Sequence, residues 1–191
     1  LFDTEPEPFM PTRLNLGCGR DRIAGAVNLD LCPLPEADVA ADANRPLPFI
    51  DSCFDEVLCF DVLEHVDDLT ATLREVHRVT KPGGAVRVRS CHFSSRYLWE
   101  DPTHKRGFSF KTFDFYCRAG TDRERDYYFD FAFAGTDDLW IDVPKGRGFP
   151  LNPAVERFIN RSHRTRSYYE AGWMRALFPA GNVSVTLRKS A

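Results

Sequence analysis

Between Leu16 and Asp30 the chain leaves no room for a helix. Leu14 and Leu16 suit a short buried strand, Gly17-Cys18-Gly19 break it with a loop of small side chains, and Ala26-Val27-Asn28-Leu29 is a second apolar run ending on Asp30. Parallel strands are ordinarily joined by a crossover of about ten residues or more that carries a helix. Here the acid follows Gly19 by only eleven residues. A strand, a glycine turn and an acid at the tip of the next strand describe a nucleoside site: glycines let the backbone approach the ligand, and the carboxylate accepts both hydroxyls of a ribose. A dinucleotide loop requires G-x-G-x-x-G opening a helix, with its acid about 20 residues on. The position three after Gly19 is Arg22, and a helix N-terminus to hold a pyrophosphate is shortened or missing. The loop therefore suits a nucleoside better than a diphosphate. The bland alternative is an ordinary glycine turn between two core strands.

Further along, Ala37–Asp42 reads as a short third strand ending on a second acid, and the prolines of Asn44–Phe49 exclude a helix there. Phe54–Phe60 is a mostly apolar fourth strand of the kind buried on both faces. Asp67 or Asp68 can cap a helix whose Leu69, Leu73, Val76 and Val79 recur at helical spacing, with Lys81-Pro82-Gly83-Gly84 as its stop. Ala85–Ser90 alternates as a fifth strand. This alternation predicts an α/β fold: a Rossmann-like, mostly parallel sheet with helices on both faces and a shortened first βα unit. Ligands then bind at the carboxyl ends of the strands, where Gly17, Asp30, Asp42, Phe60 and Cys91 all fall. Beyond residue 92 the texture changes. Residues 108–133 hold ten Phe or Tyr among charges, and Tyr127, Phe129, Phe131 and Phe133 recur every second residue, as in a strand with one aromatic face. That segment is expected either as a lid or wall of an acceptor pocket or as core over the sheet. Asn152-Pro153 suits the cap and first turn of a helix over 154–159, a second helical stretch covers about Tyr168–Phe178, and Val183–Leu187 closes the sheet.

The 191 residues suffice for one domain, here 1–191, with 13–92 as the cofactor-binding portion and 93–191 as the acceptor-binding and closing portion. No apolar run approaches the 18 residues of a membrane span, and the acidic, proline-bearing Leu1–Pro11 reads as an extended arm rather than a signal or transit peptide. Six cysteines without a C-x-x-C pair suit a reducing cytoplasm. Charge is uneven: residues 1–70 carry 15 acids against 4 Lys or Arg, and residues 71–191 carry 13 acids against 21. An acidic part suits a cationic ligand and a basic part an anionic one, although differently solvated faces would read the same way.

With Leu14–Gly19, Asn28-Leu29-Asp30 and Ala41-Asp42-Ala43 in hand, the chain resembles the class I S-adenosylmethionine-dependent methyltransferases of small bacterial type. Leu47-Pro48-Phe49, Phe54-Asp55, Cys59–Val66 and Arg74–Val79 running into Lys81–Gly84 extend the match over about residues 13–92. The resemblance implies S-adenosylmethionine as cofactor. Gly17, Cys18 and Gly19 would pass under its methionine and ribose portions. Asp30 would accept the ribose hydroxyls, with Leu31 beside it, and Asp42 the adenine amino group, with Ala43 offering its amide. Phe60 and Asp61 would border the sulfonium, and Leu63-Glu64-His65 would begin the wall under the methyl. Two departures stand out: Asn15 replaces the acid that many members carry two residues before the first glycine, weakening any contact to the methionine ammonium, and the truncated first crossover, without the long N-terminal helix that often covers the cofactor, leaves the site more open.

Methyl transfer to a hydroxyl gains most from a general base. Residues 91–107 offer His92, Asp101 and His104 after the fifth strand, with Asp101 orienting a histidine and Arg89, Arg96, Lys105 and Arg106 able to bind an acceptor anion. The bland reading of Asp101–His104 is a capped turn. A metal reading of Cys91, His92, His104 and Cys117 lacks the compact ligand pairs of structural zinc sites, so no metal is expected. Phe60–Leu63 stands where amino-directed nucleic-acid methyltransferases carry Asn/Asp-Pro-Pro-aromatic, and the isoelectric point near 6.0 disfavours a duplex-gripping surface. The expected reaction is methyl transfer, at oxygen, to a small, anionic or sugar-like acceptor. The rivals are a nucleic-acid or protein methyltransferase, a cofactor-binding protein without catalysis, and an oxidoreductase.

Overall fold

The computed structural model describes residues 12–119, 129–146 and 150–191; the arm expected at Leu1–Pro11 lies outside them. The strands are β1 Arg13–Leu16, β2 Val27–Asp30, β3 Val39–Ala40, β4 Phe54–Phe60, β5 Thr80–Cys91, β6 Gly135–Ile141 and β7 Asn182–Arg188. The helices are α1 Leu69–Val79, α2 Tyr97–Glu100, α3 Asn152–Ile159, α4 His163–Ala171 and α5 Met174–Leu177. They build one seven-stranded sheet in the order β3-β2-β1-β4-β5-β7-β6. β1 to β5 are parallel, and β7 runs antiparallel between β5 and β6. This is the mostly parallel, Rossmann-like sheet expected.

Consecutive strand residues face opposite sides of a sheet, and Val57, Leu58 and Cys59 of β4 are all buried, so both faces are covered. No helix lies between β1 and β2; the loop itself forms the cover there, and its backbone needs partners that a helix would have supplied internally. Asn15 and Asn28, opposite each other in register, supply them. The Asn15 amide donates to Asp21 O at 2.9 Å and to Asn28 Oδ1 at 3.0 Å. Asn28 Oδ1 also accepts from Ile23 N at 2.8 Å, and its Nδ2 donates to Ile23 O, Ala26 O and Asp38 Oδ2 at 3.0–3.1 Å. The helix-free stretch before β4 is held similarly: the Arg78 guanidinium donates to Leu47 O, Phe49 O, Asp51 and Glu75. Those carboxylates push its pKa further up.

The helix after β4 starts where expected, with the Asp68 side chain accepting from Ala71 N at 3.0 Å and Leu73, Val76 and Val79 buried. Three expectations change. The sixth strand is Gly135–Ile141, not the aromatic run. Tyr127 lies outside the described residues, and Phe133 makes only a single bridge, to Cys117. Phe131 and Phe133 lie on His77 of α1, with ring centroids 5.5 and 5.0 Å away, and Phe129 lies on Tyr116 at 4.6 Å. Their alternation serves the flank of α1 rather than the sheet. Asn152 is the first residue of α3 rather than its cap, and its amide donates to Pro144 O. The second helical stretch divides at Gly172 into α4 and α5. Among the described residues no helix is long and apolar enough to cross a membrane.

Candidate cofactor and acceptor site

The carboxyl ends of β1, β2 and β4 bring the expected cofactor residues to one edge. Gly17 has φ +68°, and a Cβ there would lie 2.5 Å from Val62 Cγ2; Gly19 has φ +50°, and a Cβ there would meet nothing within 4 Å. One glycine is thus closed against the chain and the other faces open space. Asp30 Oδ2 accepts from Gly19 N at 2.7 Å, and Oδ1 accepts from Cys32 N at 2.9 Å. A carboxylate offers about four lone-pair sites, so capacity remains for two hydroxyls. Beside it Leu31 is 66% exposed, an apolar side chain left uncovered at a polar site. These groups fit an adenosine: acceptors for a ribose, an apolar surface for a base, and a loop face without side chains.

Asp42 Oδ1 accepts from Asn44 N and Nδ2, at 2.8 and 2.9 Å. Ala43 O accepts from Thr72 Oγ1, tying this loop to α1. Cys18 is buried, and burial followed by the Asp30 charge raises its thiol pKa. Asp61 sits at φ +53° just past β4, its carboxylate paired with the Arg89 guanidinium, which lies 5.2 Å from the Phe60 ring centroid. Asp61 raises the Arg89 pKa through that hydrogen bond. Arg89, expected as an anion-binding residue, is thus engaged at the cofactor edge. Asn15 and Leu63 depart from their expected roles. Asn15 is buried with its amide spent on the loop, so it supports the site from beneath. Leu63 is fully buried in the core.

The three candidate catalytic residues separate. His92 is fully buried, with Nδ1 2.8 Å from Ser94 Oγ and Nε2 3.0 Å from Glu170 Oε1. Both nitrogens are engaged, so the base expected there is a structural residue. Its partner Glu170 also accepts from Ser109 Oγ and Phe110 N, and residues 78 positions apart gave no local signal of it. His104 and Asp101 do meet: Nε2 lies 3.7 Å from Asp101 Oδ2. Asp101 in turn accepts from Thr103 N at 2.8 Å and Thr103 Oγ1 at 2.6 Å, and these bonds lower its pKa. Thr103 Oγ1 lies 2.9 Å from His65 Nδ1, and the His65 and His104 rings meet edge-on at 4.6 Å. On its other side His104 Nδ1 is 3.9 Å from Cys91 Sγ. Burial, followed by the Glu64 and Asp61 charges, pushes that thiol up to about 12. Cys117 and His92 stand apart from this group.

At the same sheet edge, Ser95, Arg96, Tyr97, Lys145, Asn152 and Leu177 line a pocket of about 220 Å³. The described rings of the aromatic segment do not line this pocket: Phe108, Phe110, Phe113, Tyr116 and Phe133 are buried core, and Phe115, Phe129 and Phe131 pack against that core half-buried, as the core alternative for this segment has it. Lys105 and Arg106 are engaged outside this lining, Lys105 with Asp67 and Arg106 with Val66 O and Asp67 O.

Residues 14–88 match a family described as a methyltransferase domain. A demethylmenaquinone methyltransferase of Mycobacterium marinum is 51% identical over 57 residues, 30% of this chain and 23% of that protein. The chain thus matches about a quarter of the length of its curated relatives. A solved S-adenosylmethionine-dependent methyltransferase from Archaeoglobus fulgidus superposes with a TM-score of 0.55 at 17% identity, over 95% of this chain and 89% of that one. A protein described as the [4+2]-cyclase SpnF superposes with a TM-score of 0.52 at 17% identity, over 94% and 75%. These likenesses establish the fold.

Proposed function

We propose that this chain is a class I S-adenosylmethionine-dependent methyltransferase, a reading supported by the methyltransferase-domain match over residues 14–88 and by its sheet order, and that it methylates an oxygen of a small, anionic or sugar-like acceptor. The carrying observation is the pair of sites on one edge: an adenosine-shaped set at Gly19, Asp30 and Leu31, and a pocket at Ser95–Tyr97. The cofactor supplies an already activated methyl, so the protein's part is in-line placement and removal of the acceptor's proton. The pocket is smaller than the 300–1,000 Å³ or so of ordinary ligand sites, which supports a small acceptor. Arg96 at its wall, whose carboxylate contact is a loose 3.6 Å pair to Glu100 and whose guanidinium otherwise meets the Tyr97 hydroxyl at 3.4 Å and lies over that ring, supports an anionic one. We assign acceptor activation to His104, with Asp101 beside it; the two line, with Tyr97, Glu100 and Pro102, a separate depression of about 480 Å³ that shares Tyr97 with the smaller pocket. A demethylmenaquinone-like acceptor is the second reading, supported by Tyr97 and Leu177, large apolar side chains exposed at the pocket.

Calorimetry with S-adenosylhomocysteine tests the cofactor assignment. Wild type binds, and Asp30→Ala costs about 1.5–3 kcal/mol, as for charge-assisted hydrogen bonds. Binding of a nicotinamide dinucleotide in place of S-adenosylhomocysteine would overturn the assignment. Mass spectrometry of extracts incubated with methyl-labelled cofactor then identifies the acceptor, and label on a nucleic acid or protein would refute the small-acceptor reading.

A further inference from the structure

The exits of β4 and β5 and the loop after α2 converge on three side chains that the cofactor site does not use. The ligating atoms of Glu64, Cys91 and His104 all lie within 4.8 Å of one another. Glu64 and Cys91 are buried, and the His104 side chain is 8% exposed. Each already has a neighbour in the fold, Glu64 on Ser90 Oγ and Cys91 N and the thiol on the imidazole, and a carboxylate, a thiol and an imidazole gathered out of water are the donor types of a metal site.

The spacing and the surroundings both suit a cation. With zinc–sulfur and zinc–nitrogen bonds near 2.3 and 2.05 Å, a tetrahedral ion separates its sulfur and nitrogen ligands by about 3.6 Å. Cys91 Sγ and His104 Nδ1 are 3.9 Å apart, so a shift of a few tenths of an ångström closes the site. Glu64 is held in place from behind, accepting from Ser90 Oγ at 2.8 Å and Cys91 N at 3.2 Å. The far nitrogen of His104 lies 3.7 Å from Asp101 Oδ2, a few tenths of an ångström from the hydrogen bond by which a carboxylate behind a metal-bound imidazole fixes its tautomer and raises its basicity. A thiolate and an imidazole select a borderline ion such as zinc over magnesium or calcium.

We propose that Glu64, Cys91 and His104 bind one zinc-class divalent cation, with Asp101 as the outer partner of the His104 ring. Three protein ligands leave a fourth position for water or for the acceptor's oxygen. The inference rests on the assignment of His104 to acceptor activation and gives its form: the ring is a ligand rather than the proton acceptor, the cation lowers the pKa of the oxygen it holds, and the proton that oxygen loses passes to solvent. On binding, the Cys91 thiol gives its proton to the buffer, so one proton is released for each cation bound.

The test is a titration of the chelator-treated, reduced full chain with cobalt(II). One equivalent binds, producing tetrahedral visible bands and a thiolate charge-transfer band in the near ultraviolet, and zinc displaces it. Cys91→Ser abolishes the charge-transfer band, whereas Cys32→Ser, at an exposed thiol, leaves it intact. Asp101→Asn weakens zinc by about 10- to 100-fold. His104→Ala weakens it by more, and decides the matter if Cys91→Ser does not fold. Absence of stoichiometric binding, a band that survives Cys91→Ser, or unchanged zinc affinity in His104→Ala would each overturn the proposal. Calorimetry on the metal-free chain separates the two readings: retained S-adenosylhomocysteine binding without any metal binding defeats the cation alone.

Discussion

Replacing Asn28 with alanine removes the partner on which the helix-free crossover depends. Its amide is buried and meets five groups. Some of them keep other bonds: Asn15 Nδ2 retains Asp21 O, Ile23 O retains Ala26 N, and Asp38 retains the backbone N–H of residue 28. Two lose the partner described for them, Ile23 N and Ala26 O. A buried group left unsatisfied, as Ala26 O would be, costs about 1–3 kcal/mol and the part-buried Ile23 N somewhat less, so Asn28→Ala should destabilise the fold by about 2–5 kcal/mol. For a chain of this size that lowers Tm by about 4–20 °C. Asn15→Ala orphans mainly Asp21 O, on an exposed residue that water can reach, so it should cost about 1 kcal/mol. Urea unfolding under reducing conditions measures both, as a lower midpoint at unchanged slope. Because the two amides touch, the double variant should cost less than the sum. Equal effects, or a larger loss from Asn15→Ala, would refute the view that Asn28 is the centre of the crossover. The loop also carries Gly19, whose N–H is fixed on Asp30, so Asn28→Ala should weaken S-adenosylhomocysteine binding although residue 28 touches no ligand.

Two further outcomes follow from particular contacts. Gly17→Ala combines a left-handed φ, costing about 1–2 kcal/mol, with overlap on Val62, costing about 1–3 kcal/mol; Gly19→Ala, with open space beyond it, should show only the backbone cost, and adding Val62→Ala should recover part of the loss at Gly17 but none at Gly19, all read by chemical denaturation. Asp38 is held down to about 2 by the Asn28 N–H and amide and then by Arg22. A depressed carboxyl contributes stability that is complete above its unfolded pKa near 4 and is lost as pH falls toward 2. Tm should therefore drop more steeply across that window in wild type than in Asp38→Asn, and parallel curves would exclude the linkage.

Legibility in the sequence followed the range of the interaction. The glycine turn, the spacing to Asp30 and the Asp68 cap of α1 depend on neighbours a few positions away, and the structure places all of them as read. β6 was hidden because it is irregular: its register slips between Asp137 and Trp140, and Asp138 has φ +50°, so no two-residue period survives. The aromatic run nearby does alternate, yet its rings answer to His77 and Tyr116 on the flank of α1, and alternation alone cannot tell a sheet from a helix flank. Residue type misled at His92 for a related reason. An imidazole after a catalytic-edge strand suggests a base, but the Glu170 carboxylate that occupies it comes from α4. The cofactor half of the site is set by strand ends, whose positions follow from local pattern and parallel register. The pocket proposed for the acceptor is lined from α2, α3, α5 and their loops, which only tertiary packing brings together. A sequence can therefore announce the donor of a methyl group well before it discloses the recipient, because register is a local property and a pocket wall is not.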